Sequence, residues 1–125
     1  MVDSKEEFGF KELIVWQKAI SFAVHVIDKT EKLNSERKHY RIIEQTEASA
    51  SSIAANIAEG KGRYSKKEFK QFLYIARGSI YETISFLNIL KELNWISKSE
   101  IDGLEEEGLI LNKMLNSLIN KLKTD

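Results

Sequence analysis

The sequence predicts an all-α protein, an antiparallel up-down-up-down four-helix bundle built as a single domain over residues 1–125. Three observations carry this. Proline and cysteine are absent, so nothing interrupts long helices and no disulfide or thiolate site organises the chain. Apolar residues recur at alternating steps of three and four through four stretches, the period of one helical face. The connections between these stretches are short, which makes successive helices antiparallel neighbours. A chain of 125 residues buries roughly two thirds of its unfolded surface, enough for a core without a metal or cross-link.

The first helix is expected at about 11–33. Leu13, Trp16, Ile20, Ala23 and Ile27 share one face. Asn34 or Ser35 then caps a second helix, about 36–59, with Ile43, Ala50, Ile53 and Ile57 on its apolar side. Gly60-Lys61-Gly62 ends it, because two glycines admit the left-handed conformations that stop a helix.

The third helix, about 66–93, opens with the capping box Ser65-Lys66-Lys67-Glu68. Its seam is a heptad run of Phe69, Leu73, Ala76, Ile80, Thr83, Leu87 and Leu90. Phe72, Ser79, Phe86 and Leu93 form a second row that widens the face. The fourth helix, about 98–122, opens with Ser97-Lys98-Ser99-Glu100 and runs Ile101, Leu104, Gly108, Leu111, Leu115, Leu118 and Leu122 along its seam. The expected core contains Trp16, Ile20, Ile53, Ile57, Phe69, Leu73, Ile80, Leu87, Leu111 and Leu115. Gly78 lies inside a strong seam at a cost of roughly 1 kcal/mol against Ala, which points to close backbone approach between helices or subunits.

Composition removes several functions. Lys+Arg and Asp+Glu number 19 each, so the chain does not bind nucleic acid or acidic lipid by being globally basic. No run reaches the 18 or so apolar residues of a membrane span, and no apolar leader follows the charged N-terminus. The expectation is a cytoplasmic protein with no membrane partner. A dinuclear metal site in a helical bundle needs two Glu-x-x-His pairs and two further inward carboxylates. The chain has two histidines, and the spacing occurs once, at Glu36-Arg37-Lys38-His39. Neither histidine sits in a nucleophile motif, and the glycines near residue 60 lack the phosphate-loop spacing. No catalytic residues, metal ligands or cofactor are expected.

Polar residues beside the seams form a second pattern. Ser49, Ser52, Asn56 and Glu59 make one row on the second helix, and Ser79 and Glu82 interrupt the apolar row of the third. Pairing these helices about the 60–65 turn sets Ser79 opposite Thr46 and Asn56 opposite Phe69. The two polar groups then lie about 15 Å apart along the axis and do not share a site. Asn56 and Glu59 are expected to satisfy helix ends and loop amides, and Arg77, at the level of Glu44 and Glu47, to form a structural ion pair.

Charge is uneven despite the zero total. Lys61, Arg63, Lys66, Lys67, Lys70 and Arg77 face only Glu59 and Glu68 within one short stretch, whereas Glu100, Asp102, Glu105, Glu106 and Glu107 follow one another without a base. A basic stretch with Tyr64 and Tyr74 beside it can follow a phosphate backbone and stack bases. Lys61, Arg63, Lys66, Lys67 and Lys70 are therefore the candidate nucleic-acid contacts. Self-association, with basic and acidic patches of neighbouring copies meeting, is a second reading of the same charges.

Three segments carry a family resemblance: Phe10-Lys11-Glu12-Leu13-Ile14-Val15-Trp16-Gln17-Lys18-Ala19, Ser52-Ile53-Ala54-Ala55-Asn56-Ile57-Ala58-Glu59-Gly60, and Glu68-Phe69 through Phe72-Leu73, Ile75-Ala76, Gly78-Ser79 and Glu82. In this order they resemble the 23S rRNA intervening-sequence proteins, also called S23 ribosomal proteins, over about residues 8–123. The resemblance implies an antiparallel four-helix bundle that assembles into a homopentamer, with no established enzymatic activity. It marks Asn56, Glu59, Gly60, Gly78, Ser79 and Glu82 as motif residues of structural importance. It also implies likeness to a pentameric bundle of diversity-generating retroelements that binds nucleic acid through a basic surface. Two positions depart from the family pattern. Glu47 and Ala48 stand where members carry a basic pair, which takes positive charge from that face, and Ala54 stands where proline is usual.

The expected function is therefore a non-enzymatic oligomer of identical chains with an accessory role in binding RNA or DNA. The alternative is a structural or protein–protein interaction module that binds no nucleic acid.

Overall fold

A computed structural model describes residues 7–33 and 40–122. The described residues hold a short 3-10 turn (Gly9–Glu12) and four helices, α1 (Ile14–Glu31), α2 (Tyr40–Lys61), α3 (Lys66–Glu92) and α4 (Lys98–Lys121), with no strand. The proposed caps Asn34 and Ser35, the start of the second helix, and the Glu36–His39 pair lie outside the described residues.

Contacts pair α1 with α2, α2 with α3, α3 with α4 and α4 with α1, leaving α1/α3 and α2/α4 as the diagonals of a four-helix bundle. Side-chain pairs fix the directions. Along α3, Arg77, Ile84 and Asn88 meet Asn116, Gly108 and Glu105 of α4 in descending order. His25 and Lys29 of α1 meet Glu107 and Glu100 of α4, also descending. Ser49 and Ser52 of α2 meet Thr83 and Ser79 of α3. Each of these pairs is antiparallel, and α1 must then oppose α2.

The core follows the expected seams in α2, α3 and α4. Ile53, Ile57, Phe69, Leu73, Ile80, Leu87, Leu111 and Leu115 are all buried. Both capping boxes form: Ser65 Oγ accepts from the Glu68 amide at 3.1 Å, and Ser97 Oγ from the Glu100 amide at 3.3 Å. Near the end of α4 the buried row passes from Leu115 to Ile119, leaving Leu118 and Leu122 half-buried.

Helix α1 corrects the expectation. Its inward row is Val15, Ala19, Phe22 and Val26, with Ala23 and Thr30. Ile20 is 39% exposed and Trp16 only half-buried. The helix is apolar on more than one side, so periodicity alone admits two stripes, and packing selects the one carrying Phe22. Its start also differs. Leu13 is extended, and the residues before it form the 3-10 turn, with the Phe10 ring edge-on to Trp16 at 5.1 Å.

The glycines divide differently from the expectation. No glycine among the described residues has a positive φ, and α2 runs on through Gly60 to Lys61. Gly60 is instead a close-approach position. A Cβ there would lie 2.7 Å from Phe72 Cβ and 2.9 Å from Phe69 Cδ1. At Gly78 a Cβ would meet nothing within 4 Å, so this residue brings no helix of its own chain closer. The left-handed residue is Asn94, φ 62°. It ends α3 with the Trp95 amide donating to Leu90 O at 3.0 Å, the bond of a Schellman cap.

Candidate nucleic-acid interface

The α2–α3 turn positions the predicted basic residues. Gly60 lets Phe69 and Phe72 seat directly on the last turn of α2, so the chain reverses within a few residues. The Gly62 and Arg63 amides donate to Ala58 O and Gly60 O at 3.2 and 3.1 Å. The Arg63 guanidinium lies 4.8 Å from the Phe72 ring centroid and donates to Glu59 Oε1 at 3.0 Å. Arg63 thereby braces the turn, and its charge is already partnered.

Lys61, Lys66 and Lys67 are exposed and Lys70 is half-buried. The Lys61 ammonium stands 6.0 Å from the Phe69 ring centroid. Tyr64, between Arg63 and Ser65, is fully exposed at 102%. The α3 N-terminus itself is occupied by its own cap, with the Ser65 hydroxyl also donating to Glu68 Oε1 at 3.2 Å. The cations and the ring are what this turn offers to a partner.

The bundle sorts charge along its axis. The half containing residues 7–22, 51–79 and 110–122 carries ten Lys and Arg against four Asp and Glu. The other half, residues 23–33, 40–50 and 80–109, carries five against eleven. Lys121, at the end of α4, lies toward the same end as the cations of the α2–α3 turn. The acidic start of α4 lies at the other. The basic and acidic stretches of the sequence are therefore opposite poles of one molecule.

The polar residues of α2 and α3 come together, contrary to the expected register. Ser52 Oγ donates to Ser79 Oγ at 2.6 Å, and Ser49 Oγ and Thr83 Oγ1 are 2.8 Å apart. Ser79 is thus opposite Ser52 and not Thr46, a shift of six residues, about 9 Å along a helix. Carbonyls of preceding turns are also in reach: Ile75 O accepts from Ser79, while Thr46 O lies beside Ser49 Oγ and Ser79 O beside Thr83 Oγ1, so that one hydroxyl of the Ser49–Thr83 pair donates to the other and the second donates to its own carbonyl. A shallow groove of about 320 Å³ beside them is lined by Gln45, Ala48, Ser49, Ser52, Glu82 and Phe86.

Two further expectations change. Asn56 donates to Ser52 O within its own helix at 2.8 Å, and Glu59 binds the Arg63 side chain; among the described residues neither is engaged with loop amides. Arg77 faces α4 instead of the glutamates of α2, donating to Asn116 Oδ1 at 2.8 Å and lying 4.9 Å from the Tyr74 ring centroid. Glu47 accepts from buried Thr30 Oγ1 at 2.7 Å, which ties α2 to α1. Among the described residues no three His, Cys, Asp or Glu side chains converge to hold a metal ion, and no helix is long and apolar enough to cross a membrane.

Fold and site together define a small four-helix-bundle protein with one basic pole. The chain matches the 23S rRNA-intervening sequence protein family over residues 11–117 and belongs to that family. It is similar to a protein of unknown function from the S23 ribosomal protein family of Bacteroides thetaiotaomicron. The two structures superpose with a TM-score of 0.80 at 29% sequence identity, covering 85% of this chain and 98% of the other. No curated protein matches the chain.

Proposed function

We propose that this chain is a non-enzymatic, self-assembling bundle of the cytoplasm that presents its basic pole to the phosphate backbone of RNA or DNA. The separation of charge along the bundle axis carries this reading. A neutral protein that gathers its excess cations at one end has a local field suited to a polyanion.

Assembly strengthens it. The outer face of α3 exposes Tyr74, Ile75, Tyr81 and Ile89 around the flat position Gly78, an unpaired apolar stripe at helical spacing. A second copy covers it in a closed ring, for which the family resemblance implies five chains. Cyclic symmetry relates the bundles by one rotation, so with bundle axes along the ring axis the basic ends form one rim and the acidic ends the other. Repetition then raises the avidity of a short basic stretch.

The test is anisotropy of a labelled RNA and a labelled duplex DNA titrated with protein at 50 to 200 mM salt. Binding should fall steeply with salt, with a log–log slope of about −0.9 per phosphate neutralised on duplex DNA. Lys66→Glu with Lys67→Glu should nearly abolish it while helix content and assembly stay unchanged. The same α3 stripe favours a second reading, a protein–protein interaction module. No salt-sensitive binding at 50 mM would overturn the nucleic-acid reading in favour of that one.

A further inference from the structure

We infer that the basic end selects unpaired nucleotides, with Tyr64 as the platform on which a base stacks. This rests on the reading of that end as a nucleic-acid surface and adds the kind of strand it takes.

The four tyrosines of the chain are not equivalent. Tyr40 lies at the acidic pole, at the start of α2. Tyr74 is half covered and has the Arg77 guanidinium at its ring. Tyr81 belongs to the outer stripe of α3, near the middle of the bundle, with Glu82 next to it and Glu105 on the same groove. Tyr64 alone stands at the basic pole and is fully exposed. Its ring is uncovered by the fold and open to a base arriving from outside.

The turn that carries Tyr64 is braced. Gly60 is packed against Phe69 and Phe72, the Arg63 guanidinium lies over Phe72 and is held by Glu59, and Ser65 is fixed by its cap on Glu68. Residues on both sides of the tyrosine thus make contacts that do not involve it. The ring is presented from a rigid base, which lowers the ordering cost of binding. Lys66 and Lys67 follow within three residues, and both are exposed.

A cation pair beside an open aromatic ring is the elementary unit of single-strand recognition. The cations track the phosphates, and any base can stack on the ring because every base has a π-face. A duplex offers its phosphates to Lys66 and Lys67 but keeps its bases stacked on one another, so the ring gains nothing from it. The preference therefore comes from Tyr64, and the salt dependence from the lysines.

The full-length protein is titrated into labelled 15-nucleotide oligo-U, oligo-dT and a 15-base-pair DNA duplex at fixed salt. Both single strands should bind more tightly than the duplex, and the oligo-U and oligo-dT arms report whether ribose or deoxyribose is preferred. Tyr64→Ala should weaken single-strand binding by roughly five- to a hundredfold, the range for loss of one base–aromatic stack. It should leave duplex affinity, the salt slope and the helix content unchanged. Tyr64→Trp should retain single-strand binding. The inference is overturned if Tyr64→Ala binds both single strands as the unsubstituted protein does, or loses duplex binding to the same extent. Equal binding of duplex and single strands would overturn it while leaving the basic-pole reading intact. Salt-insensitive or absent binding to all three probes would overturn both.

Discussion

Gly60 and Phe72 set the level at which α2 and α3 meet: a Cβ on Gly60 would lie 2.7 Å from Phe72 Cβ. From this contact upward the two helices stay in step, with Ser52 opposite Ser79 and Ser49 opposite Thr83. The glycine, the aromatic ring and the hydroxyl pairs describe one register. A slip of one turn would clash at the first and separate the others.

Gly60→Ala tests the close approach. The obstruction is the Phe72 Cβ itself and the Phe69 ring and carbonyl, none of which is the free end of a flexible chain. Overpacking of this kind costs about 1–3 kcal/mol. Gly103→Ala, where a Cβ meets nothing within 4 Å, should instead gain up to about 1 kcal/mol from helix propensity. Urea unfolding of the two variants should move in opposite directions.

The buried Ser49–Thr83 pair predicts non-additivity. Thr83→Val removes one hydroxyl and should cost about 1 kcal/mol, while Ser49 keeps its bond to Thr46 O at 3.0 Å. The double change with Ser49→Ala should cost less than the sum of the two single changes, since either single change already removes the one bond the two hydroxyls share. A double-mutant cycle on unfolding free energies that came out additive would show that the pair is not coupled.

Leu87 lies fully buried in the α3 seam. Leu87→Ala should lower unfolding free energy by about 2–5 kcal/mol. Ile20→Ala, on the face of α1 that turned out to be exposed, should cost far less, within about 1 kcal/mol. Equal losses would place Ile20 in the core after all.

Glu100 supplies a pH dependence. The Ser97 hydroxyl, and then the Lys29 ammonium 3.2 Å away, hold its carboxyl below the ordinary carboxylate range. The folded state therefore favours the ionised form. This contribution is present in full above the ordinary carboxylate pKa and disappears as pH falls through the lowered one. The side chains are exposed enough to be screened, so Glu100→Gln should cost only about 0.5 kcal/mol at neutral pH. That difference should vanish in acid; a difference that persisted would assign the loss to packing.

Much of the helical framework was legible in local sequence. Ser65 and Ser97 with a glutamate three residues on mark the starts of α3 and α4, because each cap bond joins residues that are already neighbours. The basic stretch at 61–70 was equally plain, as was the family motif. Asn94 was not, since a left-handed asparagine leaves no periodic signal. Nor was the pairing of Arg63 with Glu59 and Phe72, which subtracts one cation from the candidate interface and makes it a brace.

The sequence by itself determined which segments are helical, how α3 and α4 begin, and which faces of α2, α3 and α4 turn inward, because a 3.6-residue repeat and a capping bond are properties of a few adjacent residues. Only the tertiary structure decided which apolar stripe of α1 is buried, that Gly60 and not Gly78 admits a neighbour, and that Ser79 meets Ser52. It also decided that the cations near residue 65 and the carboxylates near residue 104 lie at opposite poles. These are relations between helices, set by how large side chains such as Phe22 and Phe72 fit between backbones. No count along a single helix contains them.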